Sequence, residues 1–121
     1  MIIKISLNDL VCNDIFGEKE PKKLENIKGF ILLNTLKFSE KQDLIEKFSS
    51  LDSQSKQTEF AFQKLVSLVQ EFEIKVNFEG EEFAVDSLDD LGGFDEGVLL
   101  ISELIARMMK GFSLGKTKKR G

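Results

Sequence analysis

The chain has 121 residues, of which 41% are hydrophobic, and its formal net charge is −4. A chain of this length and composition is typical of one folded domain with a single core. It contains no His and a single Cys, so it lacks the side chains that most often bind metals or transfer protons near neutral pH. We therefore predict a protein that is not an enzyme and that holds no cofactor, metal ion or internal disulfide.

Positive and negative charges are separated along the chain. Four of the 17 basic residues lie in the last six positions, whereas Glu71–Glu96 holds ten acidic residues and one Lys. An acidic body repels nucleic-acid phosphates and anionic lipids, and it favours basic protein partners. We predict one globular domain over residues 1–112 and a flexible basic C-terminal tail over residues 113–121, with too few charges for specific nucleic-acid binding.

The start of the chain lacks the features of an export signal. Met1–Lys4 is followed at once by polar residues, so the apolar core of a secretory signal is missing. No segment approaches the roughly 18 consecutive apolar residues of a membrane span. Together with the lone Cys, which fits a reducing compartment, these features predict a cytoplasmic protein without membrane contact.

The first half of the chain predicts two strands followed by a helix. Met1–Leu7 alternates apolar and polar residues with the period of a half-buried strand. Asn8–Lys28 is rich in Asn, Asp, Lys and Glu, which favours a long exposed loop, and Gly29–Leu33 is a short apolar run that predicts a second, more buried strand. A capping-box pattern from Ser39 to Gln42 predicts the start of the first helix.

The second half predicts two longer helices separated by a hairpin. Apolar residues from Ser55 to about Phe72 recur at helical spacing and predict the central core helix. Residues 74–78 and 83–85 alternate in the manner of two short strands, and Asp95–Lys110 predicts a closing helix that Gly111 ends. The expected fold is therefore α+β and mostly helical, with three main helices and two small antiparallel strand pairs.

Two candidate sites have simpler structural explanations. The acidic loop Asp86–Glu96 does not space its carboxylates as a calcium loop does, and Gly92-Gly93 comes too late in it, so we predict a solvated turn. Cys12 has no His to act as its base, and we predict that it packs as a small hydrophobic residue.

The closing helix carries the candidate partner-binding residues. Its apolar residues cover much of its circumference, so the helix must be buried in the fold or against a partner. The candidates for partner contact lie near its end and are Leu104, Ile105, Met108 and Met109. The same four side chains fill the core in the alternative interpretation, and we expect core packing for at least half of them.

The second half of the chain, roughly Phe60–Lys119, contains a helix ending in Leu68-Val69, a polar turn at residues 79–81, the loop at residues 85–91 and the closing helix over residues 95–109. In these features it resembles the tail assembly chaperones of tailed bacteriophages. The resemblance covers about half of the chain, and the N-terminal strand and the Asn8–Lys28 loop depart from the family's pattern.

This resemblance implies a role in virion assembly. A protein of that family binds the tape measure protein in the host-cell cytoplasm, helps recruit tail tube proteins and contains no catalytic site. Two other functions remain as alternatives. One is a phage structural subunit, such as a head-tail connector or tail terminator, that assembles into a ring. The other is an acidic cytoplasmic regulator that holds a basic partner protein.

Overall fold

A computed structural model describes residues 1–13 and 20–112. The predicted basic tail, residues 113–121, lies outside the described residues. The helices are α1 (Phe38–Ser50), α2 (Gln54–Leu68) and α3 (Asp95–Lys110), and a 3-10 helix spans Leu88–Gly93. The strands are β1 (Ile2–Ser6), β2 (Val11–Cys12), β3 (Lys22–Lys23), β4 (Ile27–Asn34), β5 (Val69–Phe78) and β6 (Glu81–Ala84).

The prediction of a mostly helical fold with two small strand pairs is wrong. The fold is α+β, with 47% of the described residues in helices and 29% in strands, and it contains a four-stranded antiparallel sheet in the order β1-β4-β5-β6. The two predicted pairs are joined because β4 pairs with β5 from Ile27↔Val76 to Leu33↔Val69. The partners are about forty residues apart in sequence, so local periodicity carries no information about their pairing.

The predicted long loop after β1 also contains regular structure. β2 and β3 form a second, two-stranded antiparallel sheet, in which Cys12 pairs with Lys22. Leu24, which follows β3, is fully buried. Charged residues in this segment indicated a loop, but its few apolar residues are sufficient to attach it to the core.

One face of the large sheet forms the core with the helices. The buried residues of β1, β4 and β5 all lie on that face, and they belong to the same apolar cluster as Leu44, Leu65 and Leu100 of the three helices. The opposite face exposes mainly charged side chains, and Lys4 Nζ lies 4.9 Å from the centre of the Phe30 ring there. The domain therefore has two layers, a sheet and one layer of helices.

The ends of the helices follow local capping chemistry. α1 begins one residue before the predicted Ser39, and the Lys37 amide donates to Glu40 Oε1 at 2.8 Å. The Ser53 side chain caps α2 by accepting a hydrogen bond from the Lys56 amide at 3.1 Å. α2 ends at Leu68, four residues earlier than expected, because Val69 and its successors pair with β4.

α3 has the bounds that the sequence predicts. It spans Asp95–Lys110, and Gly111 follows it with a positive φ of 95°. Gly97 lies in its first turns, where a Cβ atom would overlap the backbone of Leu91 in the 3-10 helix. The lack of a side chain at this position lets the two helices approach closely.

Candidate protein-binding surface

Two buried carboxylates on α3 hold the segment that contains β2 and β3. Glu96 is 4% exposed, and its Oε1 accepts hydrogen bonds from the amides of Glu25 at 3.1 Å and Asn26 at 2.9 Å. Its other oxygen accepts from the Asn26 side chain at 3.2 Å and lies 3.7 Å from Lys22 Nζ. Because both carboxylate oxygens have partners, Glu96 acts as a structural anchor.

Glu103 anchors the same segment two turns further along α3. Its Oε1 accepts from the Asn13 amide at 2.9 Å, and its Oε2 accepts from Arg107 Nε at 2.8 Å. Burial raises the pKa of Glu103, but these hydrogen bonds and the positive charge of Arg107 outweigh burial, so the pKa lies below its ordinary value. Glu103 is therefore ionised at neutral pH and paired.

Cys12 is fully buried and chemically protected. Burial, with a smaller contribution from the negative charge of Glu103, raises the pKa of the Cys12 thiol to about 11. The thiol is therefore protonated at neutral pH and is a poor nucleophile. Its position in the core agrees with the prediction that it packs as a small hydrophobic residue.

The four predicted partner-binding residues occupy two different environments. Leu104 is 0% exposed and Met108 is 3% exposed, and both lie in the core. Ile105 and Met109 pack against the core but remain partly exposed. Only Ile105 and Met109 therefore offer surface to a partner while the domain stays folded.

Ile105 and Met109 belong to a longer apolar stripe on α3. Val98 and Ile101 lie on the same side of the helix as these two residues. Residues 101, 105 and 109 follow Val98 by three, seven and eleven positions, and each of these spacings returns to nearly the same direction around an α-helix. Val98 is 50% exposed, and the other three side chains are partly exposed. We call Val98, Ile101, Ile105 and Met109 the α3 stripe, and it is about 16 Å long at the rise of an α-helix.

Val98 and Ile101 are the residues of this stripe that the sequence prediction missed. The signal for them was present in the helical spacing, but the apolar residues of α3 cover so much of its circumference that spacing alone does not separate the buried side from the exposed side. The anchoring roles of Glu96 and Glu103 were also missed, because their partners come from a distant segment.

A second exposed apolar feature lies at the β5–β6 hairpin. Phe78 is 50% exposed and Phe83 is 42% exposed, and the two side chains lie on the same face of the sheet. The Phe78 ring packs edge to face against Phe94, with ring centres 5.8 Å apart. Acidic residues follow these phenylalanines closely in sequence, so this apolar area is bordered by negative charge.

The remaining features do not form a site with defined chemistry. A shallow cleft of about 550 Å³ lies between α2 and the 3-10 helix and is lined by residues such as Phe62, Val66 and Asp89. Over residues 1–13 and 20–112, no group of three or more His, Cys, Asp or Glu side chains is arranged to hold a metal ion. Over the same ranges, no helix has the length and apolarity that crossing a membrane requires.

Comparisons with models of protein families, with curated proteins and with solved structures find no match to this chain.

Proposed function

We propose that this chain is a non-enzymatic tail assembly chaperone of a bacteriophage or prophage, which binds the tape measure protein in the host cytoplasm and helps recruit tail tube subunits. The observation that supports this function is the α3 stripe. It presents three turns of partly exposed apolar surface on a helix whose other side is fixed in the core. A long helical partner with an apolar stripe of its own packs against such a surface.

The packing of α3 makes this surface suitable for binding. Leu100, Leu104 and Met108 are buried at 0 to 3% exposure and fix the helix in the apolar core. A rigid surface loses little conformational entropy when a partner binds, and this improves affinity. Met109 adds a flexible, polarisable side chain that adapts to partners of different shape.

The first experiment compares variants of the full chain for binding to the tape measure protein encoded in the same gene cluster. Ile105→Ser combined with Met109→Ser removes apolar area from the α3 stripe while leaving Leu104 and Met108 in the core. We expect at least about a tenfold loss of affinity, because burial of each such side chain contributes on the order of 1 kcal/mol or more. Ile2→Ser is the matched control, since Ile2 is 56% exposed on the opposite side of the sheet.

Circular dichroism establishes that both variants are folded, and calorimetry measures binding. If the double variant binds as tightly as the unmodified chain, the α3 stripe is not the contact surface. If the unmodified chain does not bind the tape measure protein at all, the chaperone function itself is wrong.

A second experiment separates the chaperone from the two alternatives. The native gene is expressed with its downstream DNA and an N-terminal tag, and the products and co-purifying proteins are identified by mass spectrometry. The family that this chain resembles is often also made as a longer product by programmed ribosomal frameshifting. A longer product with the same N-terminus, or a bound tape measure protein, therefore supports the chaperone. A uniform ring in light scattering supports a connector or terminator subunit, and capture of a basic protein that salt releases supports an acidic regulator.

A further inference from the structure

β6 is an edge strand whose outer side has no partner in the described part of the chain. It is the last strand in the order β1-β4-β5-β6. A two-residue turn at Glu79 and Gly80, both with positive φ, joins it to β5, so Phe78 pairs directly with Glu81. The Val85 amide continues this pairing by donating to the Ile74 carbonyl at 2.9 Å.

Alternation of hydrogen bonds determines which backbone groups face outwards. In an antiparallel ladder, residues alternate between those that bond to the neighbouring strand and those that point away from it. Because Glu81, Phe83 and Val85 bond towards β5, the amide and carbonyl groups of Glu82 and Ala84 point to the free side. The backbone N–H and C=O groups of these two residues are therefore available to form hydrogen bonds with an additional strand.

Apolar side chains lie beside this edge. Phe83 projects from β6 onto the same face as Phe78, which stands diagonally across the hairpin. Half of the Phe78 side chain and 42% of Phe83 are exposed. If another strand paired with β6, its side chains on that face of the sheet would cover Phe83.

Acidic side chains outnumber basic ones around the edge. Lys75 of β5 lies opposite Ala84, whereas acidic residues occupy the turn and the strand, at Glu79, Glu81 and Glu82. Those three side chains are all exposed. Positive charge on an added strand is therefore favoured, and negative charge is disfavoured.

We infer that the free edge of β6 binds an extended basic segment of a partner protein, which adds a fifth strand to the sheet. Backbone hydrogen bonds to Glu82 and Ala84 supply the attachment, an apolar side chain covers Phe83 on one face, and Lys or Arg side chains pair with Glu82 on the other face. A second copy of this chain is a poor occupant, because pairing two β6 strands brings four glutamates together. This inference is independent of the α3 stripe and of tape measure binding.

The probe is a fluorescent, end-capped peptide of four Val-Lys repeats, and its binding to the full chain is measured by anisotropy. Alternation places every Val on one face and every Lys on the other when the peptide is extended. Two control peptides separate the contributions to binding. One has Glu in place of Lys, and the other has N-methyl groups on alternate residues, which block backbone hydrogen bonds while retaining the charge.

We expect the unmodified peptide to bind at least tenfold more tightly than either control. Equal binding of the N-methylated peptide would mean that charge alone attracts the probe, and it would overturn the inference. Equal binding of the Glu peptide would also overturn it.

Ala84→Pro tests the edge directly. Proline has no amide hydrogen, and it is tolerated at an edge position whose N–H points away from the sheet. Ala84→Val, which keeps the N–H, is the matched control. We expect Ala84→Pro to weaken peptide binding at least tenfold and Ala84→Val to change it less than threefold. Equal binding by folded Ala84→Pro would show that the peptide binds elsewhere.

A charge variant gives a test that does not depend on how Ala84→Pro folds. Glu81→Lys combined with Glu82→Lys changes only exposed side chains, and we expect at least a tenfold loss of peptide affinity. Unchanged affinity in this variant contradicts the charge pairing on which the inference depends.

Two other occupants of the edge are tested in the same assay. In one variant Lys116, Lys118, Lys119 and Arg120 are replaced by Gln. If this variant binds the peptide tenfold more tightly, the chain's own basic end competes for the edge and the inference is wrong. Unchanged binding supports a partner protein.

Concentration-dependent dimerisation that Ala84→Pro abolishes would identify a second copy as the occupant and would also overturn the inference.

Discussion

Glu96 and Glu103 show how single residues determine the position of a whole segment. Each carboxylate is almost fully buried on α3, and each accepts hydrogen bonds from backbone amides that lie seventy or more residues away in sequence. A buried charge is tolerated only when such bonds compensate for the loss of water. The N-terminal segment with β2 and β3 is therefore attached to α3 mainly by polar contacts at these two points and by buried apolar residues such as Cys12 and Leu24.

Glu103→Gln removes the negative charge that pairs with Arg107. We expect a loss of about 1–3 kcal/mol in the free energy of unfolding at pH 7, which is typical of a buried hydrogen bond to a charged group. Because the pKa of Glu103 is lower in the folded state than its ordinary value of 4.5, its ionised form contributes stability above that ordinary value. This contribution disappears as the pH falls through the lowered pKa.

Urea unfolding at pH 7 and at several values between about pH 5 and pH 2.5 measures this effect. The difference in the free energy of unfolding between the unmodified chain and Glu103→Gln should decrease as the pH falls. Glu71→Gln is the control, because Glu71 is exposed on the outer face of the sheet and its substitution should change stability by less than about 0.5 kcal/mol. A pH-independent difference would show that Glu103 acts through packing and not through its charge.

At the scale of the secondary-structure elements, α3 has two adjacent sides in different environments. One side supplies core residues and the two anchoring carboxylates, and the next side forms the α3 stripe. The sequence predicts the bounds of this helix because its acidic first turn, its apolar spacing and Gly111 are local signals. It does not predict which apolar residues are buried, since that depends on where the sheet and α2 lie.

Neighbouring methionines provide a direct test of this division. Met108 is 3% exposed in the core, whereas Met109 is partly exposed. We expect Met108→Ala to lower the free energy of unfolding by about 2–4 kcal/mol, because it leaves a cavity. Met109→Ala should cost less than about 1.5 kcal/mol, since its site is open to water. Chemical denaturation of both variants measures the difference, and equal losses would contradict the assignment of Met109 to the surface.

For the whole molecule, the decisive feature is the junction between β4 and β5. It joins the N-terminal strand pair to the β5–β6 hairpin and produces one sheet, with one face against the three helices. Buried residues from both halves of the chain therefore share one core. A domain with a single shared core unfolds in one cooperative transition.

Ile31 and Leu32 test this cooperativity from the centre of the sheet. Ile31 is fully buried against the helices, and Leu32 is partly exposed on the opposite face. We expect Ile31→Ala to cost about 2–5 kcal/mol and Leu32→Ala to cost less than about 1.5 kcal/mol. In both variants, far-UV circular dichroism and methyl NMR signals should report the same unfolding midpoint. Separate midpoints would indicate that the sheet and the helices are independent units.

The sequence by itself determined the features that depend on neighbouring residues. These are the strand at the N-terminus, the three helices, the hairpin at Glu79-Gly80 and the strong acidity of the segment that follows. Helical and strand periods arise from contacts within a few residues, so they are visible in the chain itself.

Only the tertiary structure decided how these elements combine. The four-stranded sheet, the early end of α2 at Leu68, the anchoring by Glu96 and Glu103, and the separation of Met108 from Met109 all depend on segments that are distant in sequence. The physical reason is that burial and strand pairing are properties of the assembled layers. An apolar residue, a carboxylate or a strand edge has no defined environment until its distant neighbours are in position.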